Sequence, residues 1–293
     1  TALAFPRTVG ERPAFLGALR RARFTHVLDF DNTEKTALLT RFTGASAQVV
    51  FDRELITFRW RRCYTHVAKV TNAFYDSHHI TETYLQLLGP LGVPLASRDV
   101  RLIPSAGDIA SIQKIAPAGG RKILLHPGSR SAFRLWPAER FAAVCDRVRA
   151  ELAAQVYLVA GPAEQALVQQ IRGHAKSPIV AIERPLSVGE FAALASQFDV
   201  FLCHDSGPMH VAAAVGTSVV ALFGSQNATI WRPLGERHAI LQTDLPCPCF
   251  PVGEAPGACV REDSYRSYCV RQLDVETVFA AVKSRLTSTS LLN

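Results

Sequence analysis

The chain has 293 residues, enough for two ordinary domains, each with its own core. With 48% hydrophobic and 19% charged residues, the composition is that of a soluble globular protein; no apolar run approaches the roughly 20 residues that span a bilayer. The opening "TALAFPRTVGERP" has no apolar signal-peptide core, which predicts a cytoplasmic location, and the net charge of +7 favours an anionic partner over a cationic one.

In chain order, local arginine clusters come first, at Arg20, Arg21 and Arg23 and again at Arg59, Arg61 and Arg62. Each reads either as an anion-binding face or as solvated surface. Between them "THVLDF" predicts a strand, "TEKTALLTRFTG" the helix after it and "AQVVF" the next strand. "DSHHITETYLQLLGPLG" has the apolar spacing of one long helix. The first strand runs into Asp29-Phe30-Asp31-Asn32-Thr33. This D-x-D-x-T run resembles the way haloacid-dehalogenase phosphatases present a nucleophilic aspartate. Such an enzyme also needs a later Lys and an acidic pair in a Gly-Asp context, and no convincing set follows.

Residues 104–121 are rich in Pro, Gly and small side chains and mark a domain junction, with the linker itself at 109–121. Residues 1–108 form the first domain and 122–293 the second. Past the junction the alternation of strand and helix is regular, the signature of parallel α/β layers. "KILLHPG", "AQVYLVAGP", "PIVAI", "DVFLCHDSG" and "SVVALFG" read as strands with their loops. "PAERFAAVCDRVRAEL", "AEQALVQQIRGHA", "SVGEFAALASQ" and "PMHVAAAVG" read as the intervening helices. The tail "DVETVFAAVKSRL" predicts a last amphipathic helix packing back across the domain junction. Before it, a loop at 245–270 holds Cys247, Cys249, Cys259 and Cys269. Four thiolates are a possible structural zinc or iron site, although the spacing departs from paired C-x-x-C knuckles; free thiols in a loop are the alternative.

Ligands of open α/β sheets bind at the carboxyl ends of the strands. Three such ends stand out. In "HPGSRSAFRLWP", Gly128 and Ser129 make a small-residue turn whose N–H groups can approach a phosphate, and Arg130 and Arg134 bring planar cationic donors. In "CHDSGPMHVAAAVG", Asp205, Ser206 and Gly207 open a buried helix started by Pro208, with His210 one turn in; first-turn N–H groups and the helix dipole favour an anion there. In "VAGPAEQ", Glu164 reads either as an acceptor of hydrogen bonds from sugar hydroxyls or as an ordinary first-turn helix charge. Together they suggest a nucleotide diphosphate site, with neither a Walker loop nor a G-x-G-x-x-G fingerprint present.

"HPGSRSAFRLWPAERFAAV", "LVAGPAEQ" and "FLCHDSGPMHVAAAVGTSVVALFG" together resemble the lipopolysaccharide heptosyltransferases of glycosyltransferase family 9. "PLSVGEFAAL", "CVRQLDVETVFAAV" and the earlier "FTHVLDFDNTEKTALLTRFTGA" extend the resemblance from about residue 23 to 286. It implies a GT-B fold, two Rossmann-like domains facing a cleft. It further implies inverting, metal-independent transfer of heptose from ADP-heptose to an acidic lipid A/core saccharide, with peripheral contact to the inner membrane and no nucleic-acid partner. Carried over by motif, Ser129, Arg130 and Arg134 hold the diphosphate, Glu164 meets the ribose and Leu186 lies near the base. Asp205, Ser206 and Gly207 bind diphosphate and sugar, with His210 shaping the turn. Arg134 stands where the family usually has Lys.

The family begins with a strand and a Gly-Asp loop carrying the catalytic base, and neither is found in this sequence. The expectation is a truncated N-terminal domain with the catalytic residue unassigned. A non-catalytic nucleotide-sugar-binding remnant is the alternative to an active enzyme, and a phosphatase is a distant third.

Overall fold

The computed structural model describes residues 3–6, 8–53, 60–113, 115, 119–129, 135–224, 226–243 and 268–289. The chain divides into two compact units, Thr1–Arg98 and Asp99–Asn293.

The first unit contains helix α1 (Arg12–Arg21) and a parallel sheet of β1 (His26–Asp29), β2 (Ala47–Asp52) and β3 (His66–Lys69), in that spatial order. Helix α2 (Glu34–Thr43) starts at a reciprocal cap in which Thr33 accepts the Thr36 N–H while Thr33 N–H donates to Thr36 Oγ1. It stops at Gly44, whose φ of 69° suits a residue without Cβ. Val49, Phe51, Ala68, Val70 and Leu87 form the core.

The long helix expected over 76–92 is broken into pieces. Helix α3 (Asn72–Ser77) ends as His78 turns extended, and α4 (Ile80–Leu85) restarts behind His79, whose ring Nδ1 accepts the Thr81 N–H. Gln86–Leu91 then tightens into a 3₁₀ turn containing Pro90. Apolar spacing survives such a break, so periodicity alone does not reveal it.

The second unit is a six-stranded parallel sheet in the order β6-β5-β4-β7-β8-β9. Its strands are β4 (Lys122–His126), β5 (Gln155–Val159), β6 (Val180–Ile182), β7 (Val200–His204), β8 (Ser218–Leu222) and β9 (Ala239–Leu241). Side-chain alternation splits each strand between two cores. Ile123, Leu125, Val156, Leu158, Val200 and Leu202 face α6 (Ala138–Leu152), α7 (Gln165–His174) and the final helix Val275–Thr289. Leu124, Tyr157, Val159, Phe201 and Cys203 face α8 (Val188–Ala195) and α9 (Gly207–Ala214). Burial on both faces is why these strands read as continuous apolar runs.

The boundary between the two compact units lies between Arg98 and Asp99, and the stretch read as linker holds helix α5 (Ala106–Ile112), packed on α8. Ser105 and Asp108 cap α5 reciprocally, Ser111 Oγ donates to Glu190 Oε1 at 3.0 Å, and Asp108 presses so closely on Gly189 that a Cβ there would lie 2.5 Å from its Oδ2. The final helix packs on α6 and on β7, β8 and β9 of its own unit.

Candidate active site

Strand order reverses at the β4–β7 pair, where β4 runs beside β7 with His126 opposite Cys203. Connections leaving β4 and β7 diverge to opposite faces there, and the crevice between their carboxyl ends is where doubly wound sheets hold ligands. A cavity of about 410 Å³ opens beside this point. Gly161, Gly207, His126, Arg184, Leu186 and Phe191 are among the residues lining it. Gly207 opens α9 with nothing within 4 Å of where a Cβ would be, so its backbone is approachable.

Glu164, its side chain 23% exposed, stands beside that wall. Its Oε2 accepts the Gly161 N–H at 2.6 Å and lies 3.5 Å from His126 Nε2. Its Oε1 lies over Gly128, where an added Cβ would come within 1.6 Å of it. Only glycine permits this approach. The His126 imidazole, and then the Gly161 N–H, hold the Glu164 carboxyl below the usual carboxylate range. One carboxylate thus ties the end of β4 to the end of β5.

The end of β7 is tied in as well. His204 is fully buried, and its Nε2 accepts the Trp136 backbone N–H at 2.8 Å. Burial, aided by nearby His126, pushes the imidazole pKa down to about 3, so the ring is neutral. Trp136 Nε1 donates to Leu273 O at 2.9 Å, and Phe141 packs edge-on against both Trp136 and His204.

Of the residues expected at this site, Leu186 and Gly207 line the cavity, and Glu164 adjoins it through His126 and Gly161. Ser129 follows directly on Gly128 and is half-buried. Ser206 precedes α9 in extended conformation, its hydroxyl donating to His204 O. Asp205 is 6% exposed, with its N–H donating to Leu222 O. A carboxylate repels a diphosphate, so any anion contact at this turn falls to N–H and hydroxyl groups. His210 is half-buried in the first turn of α9 and does not line the cavity. Arg59, Arg130, Arg134, Cys247, Cys249 and Cys259 lie outside the described residues. Cys269 is buried, and among the described residues no group of His, Cys, Asp and Glu is placed to hold a metal ion. Nor, among them, is any helix long and apolar enough to cross a membrane.

Sequence reasoning passed over His126, His204 and Arg184. All three sit at or just beyond strand ends, and that position was the available signal. Arg184 is held at the cavity wall by Glu190 Oε1 at 3.0 Å.

The D-x-D-x-T run in the first unit is a turn. Asp29 is 4% exposed; its Oδ1 accepts the N–H groups of Asp31 and Asn32, both at 3.0 Å, and its Oδ2 accepts the Tyr64 hydroxyl at 2.5 Å. Asn32 takes a positive φ of 52° and donates to Phe51 O, while Thr33 caps α2. A carboxylate engaged on both oxygens is not poised as a nucleophile.

A doubly wound parallel sheet with a glycine-lined cavity at its switch point defines an α/β protein of the Rossmann-like kind. The family model for glycosyltransferase family 9 (heptosyltransferase) matches residues 12–255, and the chain belongs to that family. It is 28% identical over 222 residues to lipopolysaccharide heptosyltransferase 3 of Escherichia coli, covering 73% of this chain and 64% of that protein. The chain therefore spans just under two thirds of that relative's length. Among solved structures it is similar to a family 9 glycosyltransferase from Veillonella parvula, with a TM-score of 0.77 at 21% identity over 94% of this chain and 78% of that one. It is also similar to E. coli ADP-heptose LPS heptosyltransferase II, with a TM-score of 0.73 at 18% identity over 98% and 84% of the two chains. At these identities the two structures speak for the fold.

Proposed function

We propose that the second unit is the donor-binding half of an inverting, metal-independent glycosyltransferase that moves a heptose from ADP-heptose to a lipopolysaccharide core saccharide. The observation that carries this reading is the cavity at the switch point, where Gly161 and Gly207 expose backbone and Leu186 offers an apolar wall for a base. In this reading Ser129, Arg130, Arg134, Ser206 and Gly207 hold the diphosphate, Glu164 meets the ribose, and Asp205 and His210 shape the turn that faces the sugar. The acceptor hydroxyl loses a proton as it attacks the anomeric carbon, and the diphosphate departs from the opposite side with its charge held by fixed donors. The cluster around Arg20 would meet acidic lipid phosphates at the membrane face.

A second reading, donor binding without turnover, is favoured by the first unit. Its Asp29 is committed to a turn, and β1 forms one edge of a three-stranded sheet. A cavity of about 490 Å³ lies against that strand, lined by Phe15, Leu19, Phe24, Val27 and Leu28 among others. We read this unit as the acceptor-side domain. Calorimetry with ADP and a transfer assay with ADP-heptose test the two together. Binding with transfer supports the enzyme, binding without transfer supports the second reading, and no binding sinks both.

A further inference from the structure

We propose that His126 is a positioning residue that aims the Glu164 carboxylate at the ribose hydroxyls of the donor nucleotide. The inference rests on the donor-site reading and deepens it, by naming what holds the sugar-facing carboxylate in place. Glu164 closes the turn Pro162–Glu164 after β5, and its Oε2 accepts the N–H of Gly161, three residues earlier, at 2.6 Å. A carboxylate held by one N–H of its own turn can still pivot about that bond. The second anchor comes from another strand: His126 ends β4, and its Nε2 lies 3.5 Å from the same oxygen. With Oε2 engaged from two directions the carboxylate plane is set. Oε1 lies over Gly128, whose missing Cβ gives it room, and no described residue donates to it, which leaves it to a ligand.

His126 is poorly suited to other duties. The ring lines the cavity but its side chain is only 12% exposed, so it offers a ligand little surface of its own. Packing alone does not explain it either. Its Nδ1 is buried with no partner among the described residues, a destabilising feature that an apolar side chain would lack. What the imidazole supplies is the proton on Nε2, the nitrogen that faces a carboxylate. That contact, and then the Gly161 N–H, keep Glu164 ionised and therefore an acceptor only, which suits hydroxyl donors. In this reading Glu164, its side chain 23% exposed, touches the sugar, and His126 acts through it.

The test is calorimetry of ADP and of 2′,3′-dideoxy-ADP with the full chain, His126→Leu and His126→Gln. Leucine removes the Nε2 donor, whereas the glutamine amide reaches about as far and still donates. Wild type is expected to prefer ADP about thirtyfold, the worth of hydroxyl hydrogen bonds to a charged acceptor. His126→Leu is expected to bind ADP about tenfold more weakly, with dideoxy-ADP affinity unchanged. His126→Gln is expected to bind ADP within about threefold of wild type. Affinity lost in parallel for both ligands, or equal ADP affinities for the two variants, would overturn the proposal. A wild type that binds ADP and dideoxy-ADP equally would instead overturn the ribose reading of Glu164, and one that binds neither would overturn the donor site. Should His126→Leu not fold, His126→Asn, whose amide stops about one bond short, decides by the same comparison.

Discussion

Glu164 and Gly128 are closer than any other side chain could allow: a Cβ on Gly128 would lie 1.6 Å from Glu164 Oε1. The carboxylate that fills this space also accepts the Gly161 N–H and faces His126, so the ends of β4 and β5 are fixed to each other through one side chain.

Gly128→Ala should therefore evict the carboxylate and break its bond to Gly161. We expect a stability loss of about 1–3 kcal/mol, typical of overpacking, and weaker ADP binding. Urea unfolding and calorimetry check this; an alanine variant with unchanged midpoint and unchanged affinity would contradict the packing.

Glu164→Gln keeps the shape and one acceptor for Gly161 N–H but loses the charge that His126 faces. The folded-state pKa of Glu164 lies below its ordinary value of 4.5, so its contribution to stability is present above that value and is lost as pH falls through the lower folded one. Wild type should lose stability below about pH 4.5 more steeply than Glu164→Gln, as read from melting temperature against pH.

His204 acts in a higher window. Its folded pKa of about 3 lies below the ordinary 6.5, so its contribution is whole above pH 6.5 and drains away as pH falls from 6.5 towards 3, because the unfolded chain takes up a proton the folded chain refuses. Between pH 7.5 and pH 5 the melting temperature of wild type should drop further than that of His204→Gln. Parallel curves would show that the ring is not held neutral.

Tyr64→Phe removes the donor to Asp29 Oδ2 and leaves a buried carboxylate oxygen unsatisfied, at a cost of about 1–3 kcal/mol. Burial, then the Asp29 carboxylate, raise the Tyr64 hydroxyl pKa, so it serves as a proton-bearing donor throughout the ordinary pH range. Hydrogen exchange at β1 and β2 should report the loss locally. Neither wild type nor Asp29→Asn should hydrolyse a generic phosphate ester.

The second unit was largely legible from sequence. Strands buried on both faces demand unbroken apolar runs, and the loops between them carry Gly, Pro and capping residues that mark each end. The expected strands β4 to β8 and the helices between them all stand where the pattern put them. The first unit was less so. Its break at His78 and His79 turns on two residues leaving helical geometry, which apolar spacing does not register, and the small residues of 104–121 concealed α5 because its stability comes from packing on α8.

By itself the sequence determined the alternating α/β plan, the three loops to watch and the family, since these depend on local spacing and short motifs. Only the tertiary structure decided what each polar residue faces. Asp29 is a turn residue because Tyr64, 35 positions away, takes its second oxygen. Glu164 is a clasp because Gly128 and His126 arrive from another strand. Trp136 meets His204 across 68 positions. Such partners are chosen by the order of strands in the sheet, a long-range property that no stretch of sequence contains.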